Sequence, residues 1–315
     1  MIVSVSRRTD VPCWYSDWFF RRLREGFALV RNPMSPHQVS RVPLSPEVVD
    51  GFVFWTKNPA PMLPGIGALR EYPFYFQFTL TPYGPDIEPA LPDKSGALIP
   101  TFLRLAEIAG PERVLWRYDP ILISEGWTVA AHVDHFARMA GRLRGATDNC
   151  TISFLDSYRG KAAQMRDLRC PTVDEQRQLA AAMAEIAREN GMRLQTCAEA
   201  IDLSEFGVDH ARCIDAARMS RIAGHPLAAP RDKNQRAACG CAASVDIGAY
   251  DTCRNGCRYC YANHRPASLA ANLRAHDPAA PLLTGQITEA DVIRERAMPA
   301  CVAAQTSLFD DHRDT

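Results

Sequence analysis

The 315-residue chain has no uninterrupted apolar run of about 18 residues, the length a membrane-spanning helix needs, so no membrane span is expected. It also lacks an excess of charge. Thirty-six basic residues offset thirty-six acidic ones, so no global field draws the chain to nucleic acid and only a local basic patch would do so. The opening MIVSVSRRTDVP has no basic stretch followed by a long apolar core. A secretory signal is therefore not expected, and the cytoplasm is the expected location. A dinucleotide-binding glycine fingerprint, internal repeats and low-complexity tracts are missing as well, which removes the commonest doubly wound and solenoid readings.

What the first two hundred residues do contain is alternation. Six apolar, β-branched or aromatic runs read as strands: 2–6, 51–55, 74–80, 113–118, 150–155 and 193–197. Amphipathic stretches over 14–26, 99–109, 129–143 and 173–190 read as helices, the last with Asp174 and Glu175 near its start and Gly191 after it. Strands alternating with helices predict an α/β fold, a full or partial (β/α) barrel over 1–224. In such barrels the site lies at the C-terminal ends of the strands. Arg7, Arg8, Asp10, Lys57, Arg117, Asp119, Ser153 and Glu199 all follow or end apolar runs. Helix capping and turn formation account for part of this set. Lys57, Arg117 and Asp119, set directly against apolar strands, fit that explanation least.

Cysteine is abundant instead. For a chain expected in a reducing compartment, eleven cysteines point to metal binding or catalysis rather than disulfides. Seven lie between residues 197 and 260, while Cys13, Cys150, Cys170 and Cys301 are scattered and read as small buried apolar residues. From about residue 225 the alternation stops. A Gly-, Pro- and Cys-rich segment over 225–300 reads as loops built around metal, with one short strand near 245–250, and 301–315 reads as a flexible tail. Within the segment, Cys253-Arg-Asn-Gly-Cys257-Arg-Tyr-Cys260 is a C-x3-C-x2-C motif. Three thiolates hold three irons of a 4Fe–4S cluster and leave the fourth open. A structural zinc site would want a fourth ligand in a paired pattern, and Cys241 fits that poorly. Cys197, Cys213, Cys239 and Cys241 make a full set for an auxiliary 4Fe–4S cluster. A four-cysteine zinc site and unliganded thiols are the alternatives, because soft thiolates suit both metals.

The cysteine motif, with Tyr259 before its third cysteine and Tyr261-Ala262-Asn263 after it, resembles the signature of the radical S-adenosylmethionine (SAM) superfamily. More widely, the chain is similar to a bacterial family designated a domain of unknown function (DUF1848), through SRRTD (6–10), LVRNP (29–33), FWTKNP (54–59), FTLTPYG (78–84), WRYDPI (116–121), CGC (239–241) and YDTC (250–253). The superfamily resemblance implies that SAM chelates the open iron. The reduced cluster passes it one electron, and a 5′-deoxyadenosyl radical then abstracts hydrogen from substrate. It also implies Tyr259 beside the adenine, and a reductase, flavodoxin or ferredoxin as electron donor. Lys57, Arg117 and Asp119 are the catalytic candidates; Tyr259, Arg7, Arg8 and Glu199 are the cofactor-binding ones. Radical SAM proteins generally carry the triad after the first strand, whereas here it follows the last. A circularly permuted barrel is therefore expected, with 245–250 beside the strand at 2–6.

Two signals bear on substrate. Thr56-Lys57 and Arg117-x-Asp119-Pro120 resemble the spore photoproduct lyase branch, which repairs thymine dimers. Gln305-Thr306-Ser307-Leu308-Phe309 is similar to the peptide by which bacterial repair proteins dock on the sliding clamp, although Leu308 and Phe309 equally suit a terminal anchor on the barrel. These make DNA lesion repair one expectation. Modification of a small metabolite or peptide is the second, with Arg7, Arg8, Lys57 and Arg117 holding a carboxylate or phosphate. A non-catalytic zinc- or cluster-bearing binding protein is the reading from a different class.

Overall fold

In the computed structural model, residues 1–156, 164–236 and 238–301 are described. Eleven strands are found among them: β1 (Ile2–Val5), β2 (Phe27–Asn32), β3 (Ser35–Pro43), β4 (Gly51–Thr56), β5 (Phe74–Thr79), β6 (Val114–Ile121), β7 (Asn149–Phe154), β8 (Arg193–Thr196), β9 (Asp209–His210), β10 (Ser244–Asp246) and β11 (Val292–Glu295). The helices are α1 (Val11–Trp14), α2 (Ser16–Glu25), α3 (Ile99–Ala109), α4 (Val129–Leu143), α5 (Val173–Glu189), α6 (Ala216–Ala223) and α7 (Pro266–Arg274). Their ends follow local chemistry. Thr172 and Glu175 close a capping box on α5. Gly26, at φ +76°, takes the left-handed turn that stops α2.

The main sheet has eight strands in the order β10-β1-β4-β5-β6-β7-β8-β9, every adjacent pair parallel. It is flanked by helices and is consistent with a partial barrel, with β9 and β10 as its edges. All six runs read from the sequence are strands of this sheet. The strand expected over 245–250 is shorter, Ser244–Asp246, because the Asp246 carboxylate accepts the N–H groups of Arg7 and Gly248 and bends the chain out of the ladder. A second sheet, β11-β3-β2, lies in segments that were not read as strands. β11 is exposed along its length, so no buried face marks it in the sequence.

The register divides the main sheet into two unlike faces. One is aromatic and apolar: Val3, Phe52, Phe54, Phe76, Trp116 and Ile152 pack under α2 to α5 in the principal core. Phe54 stacks on Phe76 with ring centres 4.7 Å apart, and Phe19 of α2 meets Phe54 edge-on at 5.3 Å. Burial of each such ring is worth about 2 kcal/mol. The opposite face, aligned across neighbouring strands, carries Ser4, Trp55, Gln77, Arg117 and Thr151 along with Val53, Tyr75 and Leu115. Its lower part is covered by a separate cluster containing Cys213, Met219, Cys239, Cys241 and Cys301.

Cys13, Cys150 and Cys301 are buried as expected, so the chain is anchored at residue 301; Cys170 is exposed, contrary to expectation. The candidate clamp peptide Gln305–Phe309 lies outside the described residues. Among the described residues no helix is long and apolar enough to cross a membrane.

Candidate functional site

The cysteine loop leaves β10 at the C-terminal edge of the main sheet, beside β1. Asp246 fastens that junction. Its carboxylate accepts from Ser4 Oγ at 3.0 Å, Ser6 Oγ at 2.6 Å, and the N–H groups of Arg7 at 2.8 Å and Gly248 at 2.9 Å. Gly248 sits so close to β1 that a Cβ there would collide with Ser6 Oγ.

Asp10 is the second fastening point. It caps α1 by accepting from Cys13 N, and it also accepts from Lys57 N at 2.8 Å and from Asn255 Nδ2, inside the cysteine loop, at 3.0 Å. Trp14 Nε1 donates to Asn255 Oδ1 at 2.7 Å, and Tyr15 OH donates to Thr252 O at 2.6 Å. Burial of the Asp10 carboxyl raises its pKa against these donors. Strand ends β1 and β4 are thus tied directly to the loop.

Cys253, Cys257 and Cys260 stand together, with Cys260 acting electrostatically on both Cys253 and Cys257. Burial pushes the Cys253 thiol up to about 12 and Cys257 well above its ordinary value. A metal-coordinating thiol is deprotonated outright, so iron binding would displace protons that the free thiols hold tightly. Gly256, between them, has φ +70° and lies against Pro89, where a Cβ would stand 3.1 Å from its Cγ. Only glycine fits that turn without strain.

Lys57 and Tyr259 converge on a residue not singled out in the sequence, Glu88. Lys57 Nζ donates to Glu88 Oε1 at 2.7 Å and hydrogen-bonds Tyr259 OH at 2.8 Å. Glu88 also accepts from Tyr259 OH, from Lys94 Nζ, and from Thr81 Oγ1 at 2.9 Å. The Glu88 side chain is fully buried. Burial opposes its ionisation, but Lys57 and Lys94 outweigh this and hold its pKa at about 2. Burial likewise opposes the Lys57 ammonium, yet Glu88 and Cys257 raise its pKa. The network is therefore charged, and it lies against Cys257.

Further along the polar face, Asp119 faces Lys57 and pairs with Arg117 at 2.5 Å. Ser153 Oγ also donates to Asp119. Arg117 reaches Gln77 Oε1 at 3.3 Å and Cys213 Sγ at 3.0 Å. Glu199 accepts from Phe154 N at 2.9 Å, and burial raises its pKa to about 7. Arg8 lies over the Tyr250 ring and 4.0 Å from Asp246, away from this group. The auxiliary candidates also meet: Cys197 Sγ is 3.1 Å from Cys213 Sγ, Cys213 contacts Cys241, and Cys239 acts electrostatically on Cys241. Among the described residues no three His, Cys, Asp or Glu side chains converge on a single ion. An iron–sulfur cluster takes each thiolate on a different iron, so three thiols such as the triad's would hold it without converging on one ion.

Of the residues chosen from sequence, Lys57 and Tyr259 meet at Glu88 beside Cys257, and Asp119 lies between Lys57 and Arg117. Glu88 was missed because a single glutamate in a Pro- and Gly-rich loop carries no periodic or motif signal. A family model described as Domain of unknown function (DUF1848) matches residues 2–262. Neither the curated proteins nor the solved structures gave a match.

Proposed function

The chain belongs to the DUF1848 family, and from that premise and the geometry above we propose that it is a radical SAM enzyme. In this reading Cys253, Cys257 and Cys260 hold the SAM-binding 4Fe–4S cluster, and Cys197, Cys213, Cys239 and Cys241 hold a second metal–sulfur centre. The observation that carries it is the position of the triad. A C-x3-C-x2-C loop emerges from a strand paired in parallel with β1, at the end of the sheet where α/β barrels place their chemistry. In this reading β10 takes the first-strand place of a radical SAM barrel, and the chain order is a circular permutation of it.

The residues present fit the group. Three clustered thiols leave one iron open, the left-handed Gly256 lets the loop wrap closely, and a buried charged network stands beside Cys257. When bound, the cluster and SAM supply the electron and the hydrogen-abstracting radical. The chain's own part is positioning. Asp10, Trp14 and Asn255 fix the loop to β1 and β4, Glu88 holds Lys57 and Tyr259 in one arrangement, and the burial of Glu88 and Tyr259 excludes water.

The test is composition and spectroscopy of anaerobically reconstituted protein. We expect about eight irons per chain, four for each of two clusters, and an electron paramagnetic resonance signal that SAM perturbs in the wild type but not in Cys257→Ala. Zinc bound in place of iron would instead support the binding-protein reading. Removing the tail from Ala304 onward separates the substrate readings: loss of sliding-clamp binding supports DNA repair, and no effect favours a metabolite or peptide.

A further inference from the structure

Two guanidinium groups lie against the Trp55 ring on the polar face of the sheet, Arg7 with its Cζ 5.2 Å and Arg117 5.3 Å from the ring centre. Their situations differ. Arg117 is satisfied by Asp119, Gln77 and Cys213. Arg7 has no carboxylate within ion-pairing distance among the described residues, and its Nη2 is buried without a hydrogen-bond partner. Burial opposes its charge most strongly, and the Cys241 and Cys213 sulfurs favour it ahead of Asp246. Asp246 is already engaged by two hydroxyls, two N–H groups and the neighbouring Arg8. Trp55 Nε1 is a second buried donor left without an acceptor at the same place.

A guanidinium does not shed its proton in a protein, so burial cannot neutralise it as it can a lysine. A buried charge without a counter-charge is expensive and is normally paired. Neutral thiols at Cys213 and Cys241 do not provide that pairing; metal-bound thiolates do. Four thiolates around a doubly charged zinc ion or oxidised 4Fe–4S core leave a net charge of about −2. Asp119 already offsets Arg117, so of the two arginines on Trp55, Arg7 is the one with no carboxylate within ion-pairing distance among the described residues.

We infer that the pocket formed by Cys197, Cys213, Cys239 and Cys241 holds a net-anionic metal–thiolate centre, and that Arg7 is its built-in counter-cation. The inference rests on the second centre proposed above. It assigns Arg7, from the SRRTD segment, to that centre and not to the triad.

Redox titration of the reconstituted protein, followed by electron paramagnetic resonance, tests it. Reduction adds negative charge, so removing a nearby cation makes it harder. Arg7→Gln is expected to move one of two midpoint potentials to a more negative value and leave the other in place. Arg7→Lys should restore most of the shift, and Arg8→Gln should change neither. Should Arg7→Gln shed only the auxiliary irons, their retention in Arg7→Lys supports the inference, and their loss from both variants overturns it as a packing effect. Two unchanged potentials in Arg7→Gln also overturn it. A wild-type protein that binds neither iron nor zinc beyond the triad's cluster is a different failure, of the second centre itself. Where that second metal is zinc, its loss from Arg7→Gln and retention in Arg7→Lys supports the inference, and its full retention in Arg7→Gln overturns it.

Discussion

Lys57 Nζ lies 2.7 Å from Glu88 Oε1 and 2.8 Å from Tyr259 OH, so one ammonium joins the end of β4, the loop after β5 and the cysteine loop. With Lys94 on the other carboxylate oxygen, two lysines share one buried glutamate. Removing the shared anion should therefore cost far more than removing either cation. Glu88→Ala leaves two largely buried ammonium groups unpaired, and a loss of about 3–5 kcal/mol is expected. Lys94→Met leaves the Lys57–Glu88 pair intact and should cost less than half as much. Urea unfolding of both variants checks the order; equal losses would mean that Glu88 is not the hub.

Two glycines make a matched pair for testing the β10 junction. Gly248→Ala drives a Cβ into Ser6 Oγ, a short side chain already held by Asp246. Overpacking of this kind costs about 1–3 kcal/mol, and here it pushes the cysteine loop off β1, so iron retention should fall as well. Gly51→Ala also meets a neighbour, but that neighbour is the flexible end of Met219, which can swing aside. Gly51→Ala should keep its iron and lose little stability. Iron content of the two variants, measured together, decides whether the junction positions the triad.

His132 sets a pH dependence away from the cysteines. Its Nε2 lies 2.7 Å from Leu122 O and so donates, leaving Nδ1 to accept from Tyr118 OH at 2.9 Å. Burial lowers its pKa from 6.5 to about 4. The ring is neutral in the fold and takes a proton on unfolding, so its stabilisation is complete above pH 6.5 and is lost as pH falls towards 4. Between pH 7 and pH 5 this amounts to about 2 kcal/mol. His132→Gln should flatten that slope in urea titrations, and an unchanged slope would place the dependence elsewhere.

The sheet was legible because its strands carry long aromatic and β-branched runs, such as 74–80, that no helix periodicity matches. The edges were less so. β9 has two residues, and β11 exposes Val292 and Ile293, so neither shows a buried pattern. The polar face was hidden inside the same runs: Trp55 and Arg117 read as strand-end residues, while Gln77 drew no notice although it is buried among them. The gathering of Cys253, Cys257 and Cys260 in one loop was legible from spacing alone. Glu88 was not, because its role exists only once Lys57, Lys94, Thr81 and Tyr259 meet, and those contacts span up to 171 residues of sequence.

The most direct test of the account is SAM cleavage by anaerobically reconstituted protein reduced with dithionite, with 5′-deoxyadenosine measured by chromatography. The account predicts deoxyadenosine from the wild type and none from Cys257→Ala. Its absence from the wild type, in protein that has taken up iron at the triad, would contradict radical SAM chemistry for this chain.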